Sequence, residues 1–154
     1  MLSSEEIQAI REETHHFPVK RAAAGEALKI VQRKHGWVSD EHLKEVAALL
    51  EISPAELDGF ATFYTLIYRK PVGRHVILIC ESISCYVMGY QKMLDHLRVR
   101  LGVEVGQTTA DGRFTLLPVP CLGACDHAPA MMVDDDLHLD LDEQKIDQVL
   151  TKYP

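Results

Sequence analysis

The sequence predicts a mixed chain of the α/β (α+β) class: an N-terminal helical bundle, then a small layer built on a sheet. Three observations carry that prediction. Residues 1–73 hold repeated helix-start signals and apolar residues at helical spacing. Beyond residue 74 the pattern changes to apolar runs of strand length, His75-Val76-Ile77-Leu78-Ile79 and Phe114-Thr115-Leu116-Leu117-Pro118-Val119, separated by one helical stretch. All the cysteines of the chain follow directly on those two runs. The domains are therefore drawn at 1–73 and 74–154.

Ser3-Ser4-Glu5-Glu6 reads as a capping box, with Ser3 as the N-cap and Glu6 at the third helical position. Ile7, Ile10 and Phe17 follow helical spacing until Pro18 interrupts. A second helix is expected over 19–35, with Ala24, Ala27, Leu28 and Val31 on one side and Gly36 as its stop. Ser39-Asp40 caps a third, carrying Leu43, Val46, Ala47 and Leu50. Ser53-Pro54-Ala55-Glu56 combines a cap, a proline at the first helical position and a box glutamate, so a fourth helix starts there. Phe60, Phe63, Tyr64 and Tyr68 are expected to form its packing face. Nothing in this half has a catalytic pattern, since His15, His16, His35 and His42 lack partners at metal-ligand spacing.

In the second half a strand over 75–80 leads into the first cysteine loop. One helix is then expected over 86–101, with Leu94, Leu97, Val99 and Leu101 as its apolar side and Gly102 as its end. Asp111-Gly112 signals a turn, and a strand over 113–119 feeds the second cysteine loop. Ala130-Met131-Met132-Val133 and Leu137-His138-Leu139 flank Asp134-Asp135-Asp136, which reads as a solvated hairpin turn. A last helix over 142–150 takes Asp140 or Asp142 as its cap. The order βαβββα with one crossover agrees with a small α/β layer, whose ligands belong at the carboxyl ends of the strands.

Composition excludes several functions. Hydrophobic residues at 47% and charged residues at 25% are those of a globular protein. No apolar stretch is long enough to span a bilayer, so direct membrane insertion is not expected. The net charge of −7 is concentrated in the second half, where residues 75–154 hold 6 Lys+Arg against 12 Asp+Glu. Such an acidic surface argues against nucleic acid, which selects a basic face. No G-x-G-x-x-G follows a strand and no phosphate loop is present, so neither NADH nor flavin is expected on this chain.

The chemistry lies in four cysteines. Cys80 and Cys85 form C-x4-C, Cys121 and Cys125 form C-x3-C, and 35 residues separate the pairs. If the two preceding strands lie side by side, the four thiols converge, and four thiolates make a soft sulfur site suited to zinc or an iron–sulfur cluster. Structural disulfides are disfavoured because Met1-Leu2-Ser3-Ser4-Glu5-Glu6 has neither the basic nor the apolar region of a secretory signal, which points to a cytosolic setting. A redox dithiol is disfavoured because neither pair has the C-x2-C spacing. A structural zinc site of four cysteines stays open, since zinc pairs read C-x2-4-C. The small residues Ser82, Ser84, Gly123 and Ala124 would let backbone N–H groups reach the sulfurs of a cluster, although glycine and serine also simply make turns.

Cys80-Glu-Ser-Ile-Ser-Cys85 and Cys121-Leu-Gly-Ala-Cys125, followed by Asp126-His127-Ala128-Pro129, resemble the thioredoxin-like 2Fe–2S ferredoxin subunit, the E subunit, of bacterial NADH–quinone oxidoreductase, respiratory complex I. Ala61-Thr62-Phe63-Tyr64 and the run from Gly106 to Phe114 support the resemblance, which extends from about Pro18 to the last helix. Diaphorase subunits of NAD-linked hydrogenases and formate dehydrogenases share the motifs and remain the alternative setting. The resemblance implies that Cys80, Cys85, Cys121 and Cys125 ligate one 2Fe–2S cluster. It implies no ligand role for Asp126 or His127. It further implies an electron-carrying subunit without catalysis of its own, docked on a flavin-bearing, NADH-oxidising partner that holds the FMN and NADH, among further iron–sulfur subunits of the complex. The helical residues 1–73 are the expected docking domain. The expected location is cytoplasmic, peripheral to the inner membrane as part of that complex.

Overall fold

Helices come first and a sheet second in the computed structural model, which describes residues 1–154. Two units follow one another along the chain, Met1–Pro71 and Val72–Pro154. In the first, helix α1 (Ser4–Thr14) starts on the expected capping box: Ser3 Oγ accepts the Glu6 N–H at 3.3 Å, and Glu6 Oε2 accepts the Ser3 N–H at 2.8 Å. Glu6 is buried, at 4% exposure. Burial pushes its carboxyl up, but the Ser3 N–H and hydroxyl and the His35 ring 2.8 Å away outweigh that and lower it to about 2. Phe17 lies beyond the end of α1 and packs on the core from the following turn.

Helix α2 covers Ala24–His35 and stops at Gly36, whose φ of 78° suits a residue without Cβ. The expected helical start at Val19 is instead extended backbone followed by a 3-10 turn, Lys20–Ala23. Val19 supplies no side-chain cap, so the first turn closes on tighter bonds such as Ala22 N–H to Val19 O at 3.0 Å. Helices α3 (Asp40–Leu50) and α4 (Pro54–Phe63) begin at Ser39 and Ser53, each accepting an N–H three residues on. Ile10, Leu28, Val31, Val46, Leu50 and Leu57 fill the core of this unit, each contributing about 1.5–3 kcal/mol by leaving water.

The expected aromatic packing face of α4 needs correction. The helix turns Leu57 and Ala61 inward, four residues apart. At 100° per residue Phe63 then falls on the opposite side, where it is 78% exposed, and Tyr64 just beyond the helix is 49% exposed. Phe60 and Tyr68 are half-buried.

The second unit is a four-stranded sheet in the order β2-β1-β3-β4. Strands β1 (His75–Cys80) and β2 (Phe114–Val119) run parallel, pairing His75 with Phe114 and Cys80 with Val119. Strand β3 (Met131–Val133) lies antiparallel on the other side of β1, and β4 (Asp136–His138) closes the hairpin across Asp134 and Asp135. Val76 through Cys80 of this central strand are all buried, and Ile77 and Ile79 face the core that two helices of this unit complete. The expected single helix over 86–101 is two helices, α5 (Ile83–Met88) and α6 (Tyr90–Leu101), broken at Gly89 with φ 121°. Val99 is also not on the apolar side. Helix α6 buries Met93, Leu94 and Leu97, and a residue two positions beyond Leu97 points to the far face, where Val99 is 81% exposed. Helix α7 (Glu143–Leu150) starts at Asp142, whose side chain accepts the Lys145 N–H at 2.8 Å. No helix is long and apolar enough to cross a membrane.

Candidate metal centre

The parallel pairing of β1 with β2 ends at the Cys80–Val119 register. Glu81 N–H continues the ladder to Val119 O at 3.0 Å, so both chain segments leave the sheet side by side at its carboxyl end. Cys80 is the last residue of β1 and Cys121 follows β2 after Pro120. Two residues beyond Cys80, Ser82 caps α5, its Oγ accepting the Cys85 N–H at 3.4 Å. That cap places Cys85 in the first turn of α5, back toward the strand it left. On the other loop Gly123 adopts φ 78° and turns its N–H onto Cys121 Sγ at 3.3 Å. Cys121 Sγ and Cys125 Sγ then stand 3.7 Å apart.

The four thiols are drawn up as two neighbouring pairs. Cys80 and Cys85 interact with one another, and Cys121 lies near enough to Cys80 to feel its charge. No group of three or more His, Cys, Asp or Glu side chains is disposed to hold a single metal ion as it stands. The surroundings of the pairs differ. Cys80 and Cys85 are buried with Ala128 and Ala130, with Tyr90, Leu122 and Leu139 packed around them, whereas Cys121 and Cys125 are exposed.

Hydrogen bonds split the acidities. Burial raises the Cys80 thiol, but the Ser82 hydroxyl and N–H, the Leu122 N–H and Cys85 outweigh it and bring the group below its ordinary value. Cys85 remains above it: burial raises the thiol, the Ser82 hydroxyl and Ala130 N–H oppose, and neighbouring Cys80 adds to the rise. At Cys121 the Gly123 N–H pulls downward, but the adjacent Cys125 thiol, desolvation and the Cys80 charge together outweigh it and leave the group above its ordinary value. Apart from the Ser82 hydroxyl and the thiols themselves, these donors to sulfur are backbone N–H groups. His127 is engaged elsewhere, its Nδ1 lying 3.1 Å from Asp140 Oδ2, while Asp140 N–H bonds His127 O at 2.9 Å. This clasp ties the second loop to the segment before α7.

All-sulfur donors in two pairs, at the end of two parallel strands and fed by N–H groups, fit an iron–sulfur cluster, whose irons take four thiolate ligands and whose potential follows hydrogen bonding to sulfur. The fold and donor set thus fit a small α/β iron–sulfur protein. The chain belongs to the family of thioredoxin-like [2Fe-2S] ferredoxins, matching it over residues 10–154, and its cofactor is a 2Fe–2S cluster rather than zinc. It is 48% identical over 153 residues to the E subunit of NADH-quinone oxidoreductase from Pseudomonas aeruginosa, covering 99% of this chain and 92% of that one. To the E subunit of the Escherichia coli enzyme it is 49% identical over 152 residues, with the same shares covered. Among solved structures, an NAD+-reducing [NiFe]-hydrogenase in the air-oxidised state matches 73% of this chain with a TM-score of 0.64 and 27% identity. The H2-reduced state of such a hydrogenase gives 0.65 and 26%. This chain spans only about a fifth of the hydrogenase chain, 20% in the first case.

Ser82 is a site residue that sequence reasoning takes for a small turn residue letting backbone N–H groups approach sulfur, and not for a helix cap whose own hydroxyl meets the thiols. The signal is nevertheless there: a serine three residues before Cys85 has the spacing of an N-cap and its N3 amide.

Proposed function

We propose that this chain is the electron-carrying subunit of an NADH–quinone oxidoreductase, holding its 2Fe–2S cluster through Cys80, Cys85, Cys121 and Cys125. The observation that carries the reading is the β1–β2 register, which delivers both cysteine loops to one end of the sheet. When bound, the cluster supplies one-electron uptake and release. The residues of this chain do the rest. Cys80 and Cys85 bind from a buried wall that excludes water, and Cys121 and Cys125 bind from the open side. Ser82, Leu122, Gly123 and Ala130 direct hydrogen-bond donors at the sulfurs.

The chain acts as a carrier without catalysis of its own. It carries neither a dinucleotide fingerprint nor a phosphate loop, so NADH and FMN belong to a flavin-bearing partner subunit, with further iron–sulfur subunits beyond it. The helical residues 1–73 are the docking domain. Phe63, Tyr64 and Leu66 leave aromatic and aliphatic surface uncovered there, the composition favoured at the core of interfaces. The complex sits at the cytoplasmic face of the inner membrane, peripherally. The likeness to an NAD+-reducing hydrogenase favours a second reading, the same carrier in a hydrogenase diaphorase module.

Anaerobic purification of the chain from iron-replete cells tests the centre. Two irons and two sulfides per chain, a brown-red colour and an EPR signal appearing only on reduction are expected. Stoichiometric zinc without iron would overturn the reading. The purified chain is expected not to oxidise NADH. Co-expression with the flavoprotein should give a one-to-one pair that reduces an artificial acceptor and survives moderate salt, because apolar contact is not screened.

A further inference from the structure

The Ser82 hydroxyl meets three partners at once. Its oxygen accepts the Cys85 N–H at 3.4 Å and starts α5. As a thiol, Cys80 Sγ donates to the same oxygen at 3.5 Å. A thiolate has no hydrogen to give, so there the hydroxyl becomes the donor, and it also bears on the Cys85 thiol. Capping uses only a lone pair on oxygen, so the hydroxyl hydrogen stays free to donate. The partners it faces are sulfurs.

We propose that Ser82 is a positioning residue whose hydroxyl donates to the Cys80 sulfur and thereby sets the reduction potential of the centre, separately from its role as a helix cap. The inference rests on Cys80 and Cys85 being ligands of the cluster. A ligand thiolate carries partial negative charge, and that charge grows when the centre is reduced. A donor to sulfur therefore binds the reduced form more tightly and raises the potential. Burial of Cys80 and Cys85 strengthens the effect, because no water competes for the sulfur. Leu122, Gly123 and Ala130 donate through backbone N–H groups that only a proline would remove. Ser82 is the donor whose hydrogen is a side chain's, so it is the position at which sequence can tune the site.

The experiment separates donation from capping. The full chain is purified anaerobically as wild type, Ser82→Ala, Ser82→Gly and Ser82→Thr, and iron, sulfide, thermal stability and the midpoint of the EPR signal are measured for each. Glycine caps a helix almost as well as serine and alanine caps poorly, while both lack the hydroxyl. Ser82→Ala and Ser82→Gly should shift the midpoint to more negative potential by the same amount. The shift expected is about three- to tenfold in the reduction equilibrium, tenfold being about 59 mV for one electron. Ser82→Thr should keep the wild-type midpoint. If Ser82→Ala loses its iron, Ser82→Gly alone decides. An unchanged midpoint in iron-replete Ser82→Gly would overturn the proposal, as would a shift in Ser82→Ala that follows its lost stability and is absent from Ser82→Gly. A wild-type chain that holds no iron would overturn it together with the ligand assignment.

Discussion

The two cysteine loops begin alike, each leaving the carboxyl end of one of two paired parallel strands, and end in different surroundings. The first turns at once into a capped helix, so Cys80 belongs to a strand and Cys85 to a helix, and both are buried. The second stays irregular until a short 3-10 turn at Cys125–His127, and both of its thiols are exposed. The difference shows how regular elements and loops divide the work at such a centre. The first loop fixes ligand positions through packing and a side-chain cap. The second fixes them through one left-handed glycine and the His127–Asp140 clasp. Positions set by a packed element have little room to adjust, whereas those set by a loop can follow a changed ligand.

The largest consequence concerns the ligands themselves. Replacing Cys80 or Cys85 by serine should leave the purified chain without iron and sulfide, because the harder oxygen is held in a buried position that cannot shift toward metal. Replacing Cys121 or Cys125 by serine should leave part of the iron bound, with an altered visible spectrum, since the exposed loop can move. Iron and sulfide content measured under identical anaerobic conditions provides the check. Equal loss from all four variants would mean that the contrast in burial has no bearing on retention.

The features legible in the sequence were the local ones. Ser3, Ser39 and Ser53 all cap helices, because a cap needs only an oxygen and an amide three residues away. The strands at 75–80 and 114–119 were visible as apolar runs between turn residues, and the placing of the cysteine loops followed directly from them. What escaped depends on dihedral angles and distant packing. Gly89 breaks a helical pattern whose periodicity is continuous, since periodicity records side chains and not φ. Phe63 is aromatic, yet the phase set by Leu57 and Ala61 turns it outward. The burial of Cys85 depends on residues 128–130 coming back across the first loop, more than 40 positions along the chain. Spacing within a motif holds no information about that return.

A smaller effect concerns access in the metal-free chain. Iodoacetamide should modify Cys121 and Cys125 at least about tenfold faster than Cys80 and Cys85, because a thiolate must be reached to react. Acidity runs partly the other way, since the Cys80 thiol lies below its ordinary value and the Cys121 thiol above it. Carrying out the reaction at alkaline pH, where the exposed thiols are ionised, isolates access as the deciding factor. Residue-resolved mass spectrometry of timed samples reads the rates. Modification of Cys80 ahead of Cys121 would mean that the first loop opens freely without its cofactor and is not held by its packing.

The smallest effect is the backbone of the second loop. Gly123 has φ 78°, and a Cβ added there would meet nothing within 4 Å, so Gly123→Ala costs left-handed strain without a clash, about 1–2 kcal/mol. Gly102, at the end of α6, has φ 67° and equally open space, which makes Gly102→Ala a control of matched backbone cost. Both variants should lower the melting temperature by similar amounts. They should part at the cluster. Relaxation of the strain at residue 123 turns its N–H away from Cys121 Sγ, now 3.3 Å distant, and loosens the loop that carries two ligands. Gly123→Ala should therefore lose iron to a chelator several-fold faster than wild type, whereas Gly102→Ala should lose it at the wild-type rate. Equal rates in the two variants would show that a left-handed turn does not hold the exposed pair in place, and the loop's fixation would then rest on the His127–Asp140 clasp alone.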